Sequence, residues 1–276
     1  KILYIYMMNN SICNSICNST ITCLWIQDSF DEISELCIKS WINLGYHVNV
    51  YTYSTNFTNN ISTDIHIKNA TTIYDAGVEL LNPSCNYSHI SDEFRFNLFW
   101  KNQHEDKKNK IIWMDTDVLL LKPIPTCFNY VSSQYTNQSG AFKCKNKVMP
   151  NIGVMCLNGK EKIDFLKILR TKKKATAFQS KFLKEYEKQL SNCKELIIDP
   201  EAFCPVHWAW AKDFYTHSYF IKQSKYGIVQ KQIEDILDDV EIYGVHLWRQ
   251  ILNKNEYNVS DNSVFNQILK KINLKK

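Results

Sequence analysis

Apolar residues fall in short runs between polar, asparagine-rich stretches, and their spacing changes from run to run. The compact run from Ile21 to Ile26 predicts a strand. Behind it Ser29 and Glu32 stand at capping-box spacing, and Ile33, Leu36, Cys37, Ser40, Trp41 and Leu44 fall on one stripe of a helix that Gly45 is placed to end. Val48 to Thr52 alternates like a second strand, and a weaker one is expected around Ile65 to Ile67. Ser91 is the expected start of a second helix, with Phe94, Leu98 and Phe99 inward. A charged loop from Asn102 to Lys110 leads into a buried strand, Ile111 to Met114, which runs into Asp115-Thr116-Asp117. Further on, an amphipathic helix is expected near Lys162 to Arg170, a charged one near Thr176 to Leu190, and aromatic-rich loops around Trp208, Trp210, Tyr215 and Trp248. Strands alternating with helices predict an α/β fold, a mainly parallel central sheet flanked by helices. There is no internal repeat of roughly 20–50 residues and no Pro/Gly/Ser linker. Residues 22–276 therefore read as a single domain behind an N-terminal segment, 1–21, of uncertain role.

Composition narrows the picture. The 276 residues carry 33 Lys plus Arg against 28 Asp plus Glu, a net charge of +5 that gives no support to a nucleic-acid surface. No run reaches the roughly 18–20 apolar residues that span a bilayer, so no transmembrane segment is expected in this chain. Ten cysteines accompany Asn-x-Ser/Thr sequons at Asn18, Asn56, Asn60, Asn69, Asn86, Asn137 and Asn258. Together these suit an oxidising, glycosylating lumen such as the ER or Golgi, whereas abundant Asn produces sequons by chance in a cytoplasmic protein; both compartments stay open. Cys13, Cys17 and Cys23 lack the C-x-x-C spacing of a zinc site.

The chemistry concentrates where the fourth strand stops. In extended chain Asp115 and Asp117 project from one side, and a carboxylate pair beyond the carboxyl end of a sheet strand suits a hard divalent cation. The alternative is a solvated turn, with Asp117 capping a helix. Asp92 and Arg95, three apart on one helix face, can grip a polyol or form an exposed ion pair. Trp25 can stack on a flat ring or fill the core, and His246 with Trp248 forms an isolated His-x-Trp that is either structural or metal-ligating. No P-loop, dinucleotide-binding glycine fingerprint or nucleophile elbow occurs.

Taken in order, several stretches resemble the DXD-containing glycosyltransferases related to α-1,4-galactosyltransferase, α-1,4-N-acetylglucosaminyltransferase and the capsular polysaccharide transferases. They are Leu24-Trp25-Ile26, Leu36 to Trp41, Gly45 to Tyr53, Ser91 to Leu98, Trp113 to Val118, Asn151 to Met155, Pro200 to Trp208 and Val245 to Trp248. The resemblance implies a GT-A (Rossmann-like) fold, a nucleotide-sugar donor, UDP-linked, a Mn²⁺ or Mg²⁺ ion, a glycan or other hydroxyl acceptor, and transfer of a hexose or N-acetylhexosamine with retention. It also implies that Trp25 lies against the uracil, Asp92 and Arg95 on the donor sugar, and Asp115 toward ribose and metal. Asp117 would be directly on the metal, His246 would complete the metal site, and Trp248 would lie near the diphosphate; Asp115, Asp117 and Arg95 are the expected catalytic set. One departure is the loop from Asn102 to Lys110, which stands where relatives carry a Gly-Gly pair. Two other classes remain: a catalytically silent sugar-nucleotide or carbohydrate-binding module, which needs no metal, and a metal-dependent nucleotide-sugar hydrolase, which needs no acceptor.

Overall fold

The computed structural model describes residues 19–82, 85, 87–102, 111–126, 129–136, 147–157, 197–224, 227–255 and 258–274. The first half follows the expected alternation: strand β1 (Thr20–Trp25), helix α1 (Glu32–Asn43), β2 (His47–Thr52), β3 (Ile65–Asn69), helix α2 (Tyr87–Lys101), β4 (Ile111–Met114) and the short β5 (Val118–Leu120). Strands β6 (Tyr130–Thr136) and β7 (Lys147–Leu157) complete a six-stranded sheet in the order β3-β2-β1-β4-β7-β6. Its first three junctions are parallel, while β7 runs antiparallel to both β4 and β6. The sheet is thus mostly parallel, with an antiparallel edge.

Period-two alternation sends side chains to the two faces. Ile112 and Met114 join the core cluster that holds α1's Leu36, Cys37, Ile38 and Trp41, whereas Trp113 between them joins the cluster holding α2's Ile90, Phe94, Leu98 and Phe99. Each fully buried side chain of this size contributes roughly 1.5–3 kcal/mol. The C-terminal part adds α3 (Ala211–Thr216), a hairpin of β8 (Phe220–Ser224) and β9 (Gly227–Lys231), β10 (Gly244–His246), α4 (Arg249–Asn255) and α5 (Val264–Lys271). Strand β10 pairs antiparallel with β5 and sets His246 opposite Val118.

Several sequence expectations shift. The cap of α1 is Asp31, not Ser29: it directly precedes the helix, its backbone is extended, and its carboxylate accepts the Ser34 N–H at 2.8 Å. Ser29 instead gives its carbonyl to the Trp25 indole N–H. Gly45 follows the helix with φ +86°, the left-handed conformation that glycine adopts without strain. Helix α2 starts at Tyr87, a turn ahead of Ser91, whose hydroxyl accepts from the Arg95 guanidinium. The expected helices near 162–170 and 176–190, most of the loop 102–110 and nearly all of the segment 1–21 lie outside the described residues. Among the described residues Cys23, Cys37, Cys85, Cys156 and Cys204 are unpaired thiols, and no helix is long and apolar enough to cross a membrane.

Helix α1 and Tyr46 just beyond it also fix the segment that follows Asp117. The Trp41 indole N–H donates to the Val118 carbonyl (2.8 Å), the Leu120 N–H to the Ser40 hydroxyl (3.0 Å) and the Ile124 N–H to the Tyr46 hydroxyl (2.9 Å), all in the interior.

Candidate active site

Strand β4 ends at Met114, and the chain turns at once through Asp115, Thr116 and Asp117 before β5 begins. The turn is closed by the Val118 N–H on the Asp115 carbonyl, and the Asp115 N–H is tied to the Gly153 carbonyl at 2.7 Å. From the other side the Leu247 N–H donates to the Asp117 carbonyl, also at 2.7 Å, bringing the end of β10 against the turn. This brings a carboxylate oxygen of Asp115, one of Asp117 and a ring nitrogen of His246 within 4.8 Å of one another.

These groups line a cavity of about 680 Å³ at the carboxyl end of β1 and β4, a size suited to a nucleotide-sized ligand. Trp25, Asp92, Arg95, Asp115, Asp117, His246 and Trp248, all singled out from the sequence, line it together. Their roles in the structure differ. Arg95 is only 5% exposed. Its Nε donates to the Ser91 carbonyl and its Nη1 to the Ile152 carbonyl (2.7 Å). Its Nη2 meets the Ser91 hydroxyl, Asp92 (3.3 Å) and Asp115 (3.1 Å). With every donor engaged and its plane over Trp113, Arg95 positions Asp92 and Asp115. Trp25 is 4% exposed, packs on Phe30 and lies under the Arg249 guanidinium, whose carbon is 4.8 Å from the ring centre. Trp248 stacks on His246 at 4.1 Å with φ +53° and donates its indole N–H to the Val206 carbonyl.

Electrostatics separates the two acids. Burial pushes Asp115 above its ordinary value against the pull of Arg95, and burial likewise lifts Asp92 to about 6. Burial also acts upward on Asp117, but the His246 charge and hydrogen bond, then Arg249, outweigh it and bring the carboxyl down to about 2. Burial works to lower His246, yet the Asp117 carboxylate holds it well above its usual value. His246 Nε2 and Asp117 Oδ1 lie 3.1 Å apart, each presenting a ligand atom to the other. Two carboxylates and an imidazole form a donor set that Mn²⁺ accepts, so the residues fit such an ion.

Other contributors carried no role in the sequence reading. Asn151 accepts the Gly153 N–H through Oδ1 (2.8 Å), which turns its Nδ2 toward His246 Nδ1 (3.3 Å) and Gln134 (3.1 Å). Cys204 Sγ lies 3.9 Å from the same His246 nitrogen. A β-carbon on Gly153 would come within 2.8 Å of Asn151 Oδ1, 3.2 Å of Asp115 Oδ2 and 3.6 Å of His246 Cε1, so glycine there lets three site residues converge. Arg249, immediately after the His-x-Trp, donates its backbone N–H to Asp117 Oδ2 at 3.1 Å. The sequence signals were an isolated glycine in an apolar run and a cation beside a suspected ligand.

Residues 175–272 match the family model described as the alpha 1,4-glycosyltransferase conserved region. This stretch includes the C-terminal wall of the cavity, His246, Trp248 and Arg249, and leaves Asp115 and Asp117 outside it. None of the curated proteins compared matches the chain. Among solved structures it is similar to the PaToxG glycosyltransferase (13% identity, 69% of this chain and 79% of that chain, TM-score 0.36). It is also similar to a glycosyltransferase involved in glycosylation of the major capsid of PBCV-1 (13% identity, 87% and 100%, TM-score 0.40). A third likeness is to the galactosyltransferase LgtC in complex with donor and acceptor sugar analogs (12% identity, 65% and 66%, TM-score 0.29).

Proposed function

We propose that this chain is a glycosyltransferase that carries out metal-dependent transfer of a hexose or N-acetylhexosamine, a reading supported by the match of residues 175–272 to the alpha 1,4-glycosyltransferase conserved region. The donor is a nucleotide sugar, UDP-linked, and the acceptor a hydroxyl of a glycan or glycoconjugate. The observation that carries this reading is the convergence of Asp115, Asp117 and His246 inside the cavity. When bound there, Mn²⁺ or Mg²⁺ supplies Lewis acidity to the diphosphate oxygens.

The chain's own residues do the positioning. Asp117, ionised at neutral pH, and His246 present ligand atoms from β5's turn and β10, while Arg95 holds Asp115 and Asp92 from α2. Trp248 offers an apolar wall on which a base or ring can rest, while the nearly buried Trp25 backs the Arg249 guanidinium. We assign retention by attack of the acceptor from the face the diphosphate leaves, with a phosphate oxygen taking the proton. Support comes from the four carboxylates that line the cavity among the described residues. Asp31 is tied to Arg249, Asp92 to Arg95, Asp115 to Arg95 and the Trp113 indole, and Asp117 to His246, so each is already engaged rather than poised as a nucleophile. Trapping a sugar adduct on one of them would overturn same-face attack.

The deciding experiment screens UDP- and GDP-sugars with Mn²⁺ and glycoside acceptors, measuring donor consumption with and without acceptor. Acceptor-dependent consumption abolished by EDTA is expected. Equal rates with and without acceptor indicate a nucleotide-sugar hydrolase, and nucleotide binding indifferent to Mn²⁺ and without turnover indicates a silent binding module.

A further inference from the structure

The cavity has an electrostatic difficulty for the ligand proposed above. Asp31, Asp92, Asp115 and Asp117 all line it, and among the described residues the cationic side chains facing them are Arg95, Arg249 and His246. A nucleoside diphosphate is itself anionic, so it needs hydrogen-bond donors that the carboxylates have not already taken. Arg95 has none to offer, since its three nitrogens are engaged by Ser91, Asp92, Asp115 and Ile152 and it is nearly buried. His246 directs Nε2 at Asp117 and meets Asn151 and Cys204 with Nδ1.

Arg249 differs. Its Nη1 meets Asp31 Oδ2 at 3.1 Å and the Ser34 hydroxyl at 3.2 Å, while its Nε and Nη2 have no hydrogen-bond partner among the described residues. The side chain is 27% exposed into the cavity, and the indole of Trp25 beneath it fixes the plane of the fork. Its own backbone N–H is bonded to Asp117, so the guanidinium is anchored one residue's reach from the cation site. We infer that Arg249, not Arg95, is the residue that receives the negatively charged diphosphate of the donor, through the Nε and Nη2 edge that its partners leave open. The inference rests on the glycosyltransferase reading. It adds a counter-charge for the diphosphate beside Asp117, with Asp31 orienting the fork through Nη1 and opposing the incoming anion by its own negative charge.

The test measures affinity, in MnCl₂, of UDP and of uridine for the wild-type protein and the Arg249→Gln, Arg249→Lys and Asp31→Ser variants, with thermal unfolding recorded for each. Arg249→Gln is expected to weaken UDP about 10- to 100-fold, the range of a charge-assisted hydrogen bond, and to leave uridine unchanged; Arg249→Lys should recover part of the loss. Asp31→Ser keeps a capping hydroxyl for α1 and removes the opposing charge, so UDP should bind a few-fold tighter. That gain cannot arise from a misfolded chain. Equal UDP affinity in wild type and Arg249→Gln would overturn the assignment to Arg249 alone. Parallel losses for UDP and uridine would also overturn it, placing Arg249 against the base. If wild type binds no UDP in Mn²⁺, both the assignment and the nucleotide-sugar reading behind it fail.

Discussion

At the scale of single residues, the site depends on small atoms as much as on charged ones. Asp117→Asn keeps the shape and one hydrogen-bond acceptor for the Arg249 N–H, but removes the negative charge that faces His246. Transfer should fall at least about 1000-fold, as expected when a preorganised charge is deleted, and Mn²⁺ should no longer raise the melting temperature, while the circular dichroism spectrum is unchanged; retained activity would remove Asp117 from the machinery. Gly153→Ala asks for space that is not there. With contacts of 2.8 and 3.2 Å to Asn151 and Asp115, one of these side chains must move. We expect turnover to drop more than about tenfold for a stability loss within the roughly 0.5–3 kcal/mol of an ordinary point mutation, read by kinetics alongside urea unfolding.

At the scale of elements, α1 does more than cover the sheet. Its last turn, with Tyr46 just beyond it, exchanges hydrogen bonds with β5 and the chain after it, and so fixes where the Asp115–Asp117 turn can lie. Trp41→Phe removes the donor to the Val118 carbonyl and, at a fully buried position, also leaves a void where the larger ring stood. Leaving that buried carbonyl unpaired should cost about 1–3 kcal/mol, with the void adding to the loss measured by denaturant unfolding, and should loosen Mn²⁺ binding although residue 41 does not line the cavity. Such cross-element ties mark the boundary of what was legible in the sequence. The strands β1, β2 and β4, the stripe of α1 and the placement of the carboxylate pair Asp115 and Asp117 at a strand end could be read from spacing, because periodicity and strand ends are local properties. The register of β10 against β5, which delivers His246, joins residues more than a hundred positions apart and leaves no local trace. Arg95 read as a sugar-gripping residue because its spacing from Asp92 shows a pair; only the fold shows that Ser91, Asp115 and Ile152 use its remaining donors. The start of α2 and the cap of α1 were each misplaced by a few residues, since Ser, Asp and Tyr all stand near those ends and tertiary partners decide among them.

At the scale of the whole molecule, acid should act through a histidine outside the cation site. His207 is buried; its Nε2 donates to the Tyr135 carbonyl and its Nδ1 accepts the Ala209 N–H, an arrangement that requires the neutral ring. Burial lowers it from 6.5 to about 4, the Tyr135 contact opposing. The folded value lies below the unfolded one, so the unfolded chain gains the proton first: this contribution is whole above about pH 6.5 and drains away as pH falls toward 4, by roughly 2–3 kcal/mol. Unfolding curves at pH 7.5 and 4.5 should show His207→Gln losing less stability across that interval than wild type; equal losses would remove the histidine from the acid response.

The pairing of His246 with the strand beside Asp117 has a consequence in time. A newly synthesised or refolding polypeptide has both aspartates early, but their third partner arrives only when residues near the end of the sequence dock in register. Manganese affinity should therefore return with the last kinetic phase of refolding, after the tryptophan signal of the earlier layers has settled, and ion uptake followed in a stopped-flow instrument would serve as a clock for completion of the native state.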